Sequence, residues 1–227
     1  MRKLLFLFLF PLCLSAQTEP ADPDWYNSLP VDSFFNTSAA QQLIDIEKPD
    51  VALVDMAVFF ATNEQRIKRK LPAYKYGSDL REAALFHSVE MRDKRFFSHI
   101  NKTDKENRDP QQRIINKGGE AYTGFGENIL EMPAYKIRAE EEYDAVKNPD
   151  GSYMFLNMRG KPLRTMSYAE FGRAVVKLWM TSPDHKANIM HKEFTHLGCG
   201  SAFDPEPYKY KLLPQTLVTQ NFGTLGE

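Results

Sequence analysis

Cysteine is almost absent from these 227 residues: only Cys13 and Cys199 occur. A disulfide-built scaffold is therefore excluded, and stability must come from a hydrophobic core. Charge of one sign is also missing. The formal net charge is -1, which gives no basic footprint for nucleic acid. The charged runs Arg66–Lys70 and Glu140–Glu142 read as solvated surface. The composition of a disordered chain is lacking too, because 42% of residues are hydrophobic and 16 are Phe. Two further absences concern motifs: there is no internal repeat and no His-Glu-x-x-His run of a zinc hydrolase.

What is present begins with an export signal. Arg2 and Lys3 form a basic start, and Leu4 to Leu14 an apolar stretch too short to span a bilayer. Ser15 and Ala16 are small residues suited to cleavage before Gln17. Residues 1–16 thus read as a signal peptide, leaving no transmembrane segment and an extracytoplasmic product, secreted or periplasmic. A lipid anchor at Cys13 is the competing reading, disfavoured by bulky Leu12 before it. Removing Arg2 and Lys3 leaves 27 basic against 30 acidic residues, a mildly acidic mature chain. With Cys13 removed, Cys199 stands alone between Gly198 and Gly200, where a buried structural thiol is expected rather than a nucleophile.

Residues 17–50 read as an N-terminal extension and linker, with Trp25, Phe34 and Phe35 able to dock on the domain. Helices are expected over 51–70, ended by Pro72, and over 80–96, with Leu80, Ala83, Ala84, His87 and Met91 as the apolar stripe. A third helix opens on the capping box Ser167/Glu170. A short one follows Ser182-Pro183, with Ser182 as the expected N-cap. Strands are expected over 128–132, 197–203 and 217–222. Helices around an antiparallel sheet make an α+β fold. Residues 133–166 form a charged insertion with the turn signal Asn148-Pro149-Asp150-Gly151, read as a hairpin or loop at the margin of a binding cleft.

An ordered set of short stretches resembles the CAP superfamily of cysteine-rich secretory proteins, antigen 5 and pathogenesis-related 1, in its bacterial form. These are Asn63-Glu64-Gln65-Arg66 with Leu71-Pro72; Phe86-His87-Ser88 through Met91; Phe96-Phe97-Ser98-His99; Gly126-Glu127-Asn128-Ile129; Trp179 through Ile189; Leu197-Gly198-Cys199-Gly200; and Thr219-Gln220-Asn221-Phe222-Gly223. The resemblance implies a three-layer α/β/α sandwich over residues 51–225, with a small antiparallel sheet between helices. It also implies a cleft carrying two histidines and two glutamates, able in many members to hold a divalent metal. Matched residue by residue, the histidines are His99 and His185 and the first glutamate is Glu127. The second glutamate is replaced by Ser182, so the tetrad is incomplete.

Taken singly, His99 is a capping or surface histidine, Glu127 a loop carboxylate, His185 a surface histidine and Ser182 a helix cap. Taken together, His99, His185 and Glu127 suit zinc or another divalent ion with water as fourth ligand. No full catalytic set emerges and the catalytic residues stay unassigned. The expected role is binding of a small hydrophobic ligand, a glycan or a protein partner. The alternative is a metal-assisted hydrolase of cell-envelope or peptide substrates.

Overall fold

The computed structural model describes residues 22–137 and 141–225. The signal peptide and the Cys13 alternative lie outside the described residues. Three short helices open the described chain: α1 (Trp25–Ser28), α2 (Val31–Phe34) and α3 (Ser38–Gln41). They lead to the long helix α4 (Val51–Ile67), strand β1 (Lys75–Tyr76) and helix α5 (Ser78–Lys94). Next come α6 (Pro110–Asn116), β2 (Tyr122–Pro133) and the pair β3 (Tyr143–Lys147) and β4 (Tyr153–Asn157). The chain closes with α7 (Tyr168–Thr181), α8 (Pro183–Met190), β5 (His196–Phe203) and β6 (Gln215–Leu225).

Local chemistry explains most of these boundaries. Asp50 caps α4 by accepting from the Leu53 amide at 3.0 Å. The α7 capping box is complete, with Ser167 and Glu170 each accepting from the other's backbone N–H. Asp109 caps α6 and Pro110 follows at its first position, a start signal that the sequence reading passed over. Ser182 does stand at the N-cap of α8, but its side chain makes no capping bond. Its carbonyl instead accepts from the Lys186 amide at 2.9 Å.

The main sheet has the order β1-β5-β6-β2, with β5-β6 and β6-β2 antiparallel. The two-residue β1 adds to β5 in parallel, a departure from a purely antiparallel sheet. Helix α5 covers one face. A Cβ at Gly200 would lie 2.1 Å from the Leu85 backbone nitrogen, and one at Gly198 2.1 Å from that of Arg81. Only glycine lets helix and strand approach so closely. Helix α4 covers the other face, where Gln220 donates to Thr62 at 2.6 Å and Ser201 to Asp55 at 2.6 Å. Helix α7 packs on α4 in turn, with Gly172 against the Ala57 backbone. The result is an α/β/α sandwich.

The segment before α4 is part of the core. Phe34, Phe35, Ala39, Ala40, Ile44 and Ile46 are all buried with the residues of α4 and α7. Full burial of a side chain such as Phe34 contributes on the order of 2–3 kcal/mol. The insertion forms the expected hairpin, with Gly151 at φ 91° in its turn. Its Phe155 is buried, packed edge-on against Tyr135 and Tyr143. The Tyr153 amide donates to the Tyr208 carbonyl, tying the hairpin to the β5–β6 connection. The insertion is therefore anchored in the core and is more than a loop at a cleft margin.

Candidate functional site

Glu127 is the centre of a polar cluster assembled from four elements. It lies on β2, paired in register with Asn221 of β6. Gly126 before it has no room for a side chain: a Cβ would meet the Phe194 ring at 2.8 Å. The Glu127 side chain is 2% exposed and both carboxylate oxygens are engaged. Oε1 pairs with Nδ1 of His99 at 2.8 Å. Oε2 accepts from Arg113 Nη2 at 2.8 Å. Asn221, with its amide oriented to satisfy both ends, also donates to Oε2 at 3.2 Å.

Arg113 comes from α6 and is fully buried. Besides Glu127 it donates to the carbonyls of His99 at 3.0 Å, Asn107 at 3.2 Å and Arg108 at 3.1 Å. One guanidinium thus fixes both the carboxylate and the backbone that carries its histidine partner. These bonds offset part of the cost of burying the ion pair, although the Arg113 Nε is buried without a partner among the described residues. Sequence reading missed Arg113. The signal available was Asp109-Pro110, which opens a helix and places Arg113 and Ile114 in its buried turn.

His87 of α5 is buried, as its place on the apolar stripe suggested. Its Nε2 lies 3.0 Å from the Ser98 carbonyl and 3.9 Å from Glu127 Oε1. Burial pushes this imidazole down to about 4, against the opposite pull of Glu127. His87 therefore lies behind the cluster as a neutral group. His99 is different: its side chain is 46% exposed while Nδ1 is turned inward to Glu127.

His185 sits in the first turn of α8, and its carbonyl accepts from Asn128 at 3.1 Å. Burial and the nearby His99 hold its imidazole below the usual histidine range, with Asp184 opposing. Asn188 of the same helix donates to the Glu127 carbonyl at 3.2 Å and to Asn128 Oδ1 at 2.9 Å, docking α8 on β2. His99 is thus paired with Glu127, and His185 lies on the helix that docks against β2 beside it. Ser182 is not joined to them: among the described residues its hydroxyl makes no hydrogen bond to any of the three.

The donor set does not fit the zinc site expected from His99, His185 and Glu127. Among the described residues no three His, Cys, Asp or Glu side chains converge as a metal centre. Arg113 and His99 already engage both oxygens of Glu127. Cys199 is buried, accepts weakly from Gln220 at 3.8 Å, and has its thiol pushed upward by burial, consistent with a structural role.

A groove of about 660 Å³ lies between the C-terminal end of α5 and the β5–β6 connection. Met91, Phe96, Phe97, Leu212, Leu213 and Leu217 supply its apolar lining. His99, Glu127, Ser182 and His185 are not among its lining residues. The run Phe96-Phe97-Ser98-His99 borders both, since the two Phe line the groove and His99 pairs with Glu127. Phe97, Tyr210 and Leu212 are exposed here. Their convergence on one groove distinguishes it from scattered surface apolar residues.

A single α/β/α layer structure with a histidine–glutamate cluster on the edge strand of its sheet describes the class of protein. The cysteine-rich secretory protein (CAP) family model matches residues 59–222, and the chain belongs to that family. It is 27% identical over 164 residues to the uncharacterized protein YkwD of Bacillus subtilis, covering 72% of this chain and 45% of that protein. The chain therefore spans less than half the length of this curated relative. Among solved structures, an extracellular SCP-domain protein from Bacillus anthracis superposes with a TM-score of 0.52 at 21% identity, covering 78% of this chain and 42% of that one. An outer surface protein from Borrelia burgdorferi superposes at 0.48 with 14% identity, covering 82% and 99%. Among the described residues no helix is long and apolar enough to cross a membrane.

Proposed function

We propose that this protein is an extracytoplasmic binding module. A ligand's polar part meets His99 and His185, and its apolar part lies in the groove lined by Phe96 and Phe97. The observation that carries this reading is the run Phe96-Phe97-Ser98-His99, in which the two Phe line the groove and His99 pairs with Glu127. A volume of about 660 Å³ suits a small ligand or a short stretch of a longer polymer or peptide. The basic and apolar start of the sequence, read as a signal peptide, supports a location outside the cytoplasm. The hydrolase alternative would use the same histidines. It lacks a second carboxylate, because Ser182 stands at that position, and Glu127 is tied to Arg113.

The test is native mass spectrometry of the exported, mature protein, followed by a crystal structure of the purified material. A co-purified ligand with density reaching both Phe97 and His99, lost in Leu212→Asp and in His99→Ala, supports the reading. A ligand bound elsewhere on the surface and indifferent to both substitutions overturns it.

A further inference from the structure

We propose that Arg113 is a positioning residue that fixes the proton of His99 on Nδ1 and so presents Nε2 to the cleft as a bare lone pair. The inference deepens the binding reading above and rests on it only for its use, since the proton arrangement exists in the free protein.

The argument follows the donors. Glu127 is closed to solvent, and its Oε2 receives Arg113 at 2.8 Å and Asn221 at 3.2 Å. A carboxylate paired with a guanidinium acts as an acceptor of hydrogen bonds and not as a donor. Oε1 then requires a donor, and the group at 2.8 Å is His99 Nδ1. A neutral imidazole carries one N–H, so a proton on Nδ1 leaves Nε2 without one. His87 cannot replace His99 in this role, because its Nε2 is 3.9 Å from Oε1 and 3.0 Å from the Ser98 carbonyl.

Arg113 also donates to the His99 carbonyl at 3.0 Å, so the backbone position and the tautomer of His99 are set by one side chain. Without Arg113, Oε2 of Glu127 and the His99 carbonyl both lose the donor that holds them, and nothing keeps Oε1 aligned with Nδ1. The ligand chemistry follows from the tautomer. With Nε2 as an acceptor, the partner atom at His99 is a hydrogen-bond donor, the hydroxyl of a glycan or the N–H of a peptide, and an anionic group is disfavoured.

The experiment is nitrogen-15 NMR of the histidine rings in the full mature protein, without ligand, at a pH where His99 is neutral. Wild type is expected to show a protonated-type Nδ1 and an unprotonated-type Nε2 for His99. Arg113→Met and Glu127→Leu are expected to shift His99 toward the Nε2–H form that predominates in free histidine. Arg113→Lys, which keeps a cation, is expected to restore most of the wild-type pattern. Should Arg113→Met not fold, the wild-type spectrum with that of the double variant Arg113→Met/Glu127→Leu decides, because removing both partners leaves no buried charge unpaired and takes away the acceptor facing Nδ1. An Nε2–H tautomer in wild type overturns the proposal. So does an unchanged His99 spectrum in every folded variant. Either result leaves ligand binding in the groove untouched.

Discussion

Arg113 and Glu127 meet at 2.8 Å with both side chains closed to solvent, although 14 residues and a change from helix to strand separate them. Removing one partner of such a pair strands the other as a buried charge. Arg113→Met is therefore expected to destabilise the fold by about 3–5 kcal/mol. The double variant Arg113→Met/Glu127→Leu should lose clearly less than the sum of the two single variants. Urea unfolding of all four proteins measures this, and additive losses would show that the pair is not coupled.

Glycine on β5 makes a second prediction. Gly200→Ala drives a methyl group into the Leu85 backbone, which cannot rotate away as a side chain could. A loss of about 1–3 kcal/mol or more is expected. Unchanged stability in thermal unfolding would mean that α5 does not lie as close to the sheet as described.

Two buried groups give opposite pH dependences. His87 is held down at about 4, so between that value and the ordinary histidine range the unfolded chain binds more protons, and stability falls as pH falls. Asp55 is pushed by burial up to about 7, against Arg81 at 2.8 Å and Ser201 at 2.6 Å. Over the range from about 4 to 7 the folded chain binds the extra proton, and this contribution to stability falls as pH rises. The two slopes partly cancel in wild type. Replacing His87 by Gln removes one of them, so the melting temperature of wild type relative to His87→Gln should increase from pH 4.5 to pH 6.5. A difference that shrinks over that range would place the His87 shift in the wrong direction.

Zinc offers a direct check on the role of Glu127. With its oxygens engaged by Arg113 and His99, only imidazoles are free to ligate. Weak binding is expected, falling at acidic pH as the histidines protonate. Calorimetry that finds tight zinc binding in wild type and none in Glu127→Gln would make Glu127 a ligand after all.

Much of the fold was legible in the sequence because its signals are local. The Ser167/Glu170 box, the Pro72 stop, the stripe from Leu80 to Met91 and the hairpin turn at Asn148–Gly151 each act within a few residues. That His99 and Glu127 share one cluster came from resemblance, since no spacing rule joins a post-helical loop and an edge strand. Arg113 and the approach of His87 to Glu127 were hidden for the same reason. They depend on how α6 folds back under residue 99, a tertiary relation without a periodic pattern. The docking of Phe34 and Ile44 likewise depends on contacts made far along the chain, such as the Ile44 amide to the Met166 carbonyl at 2.9 Å. The failure of Ser182 to cap α8 shows the limit of a local signal: the position was legible, the side-chain rotamer was not.

The claim that matters most is that His99 and His185 serve binding. Hydrolysis assays on peptidoglycan, peptide and ester substrates, run with wild type, Glu127→Gln and His185→Ala side by side, test it most directly. No turnover separating wild type from the two variants is expected. Hydrolysis by wild type that disappears in both folded variants would contradict a binding role and make the cluster an active site.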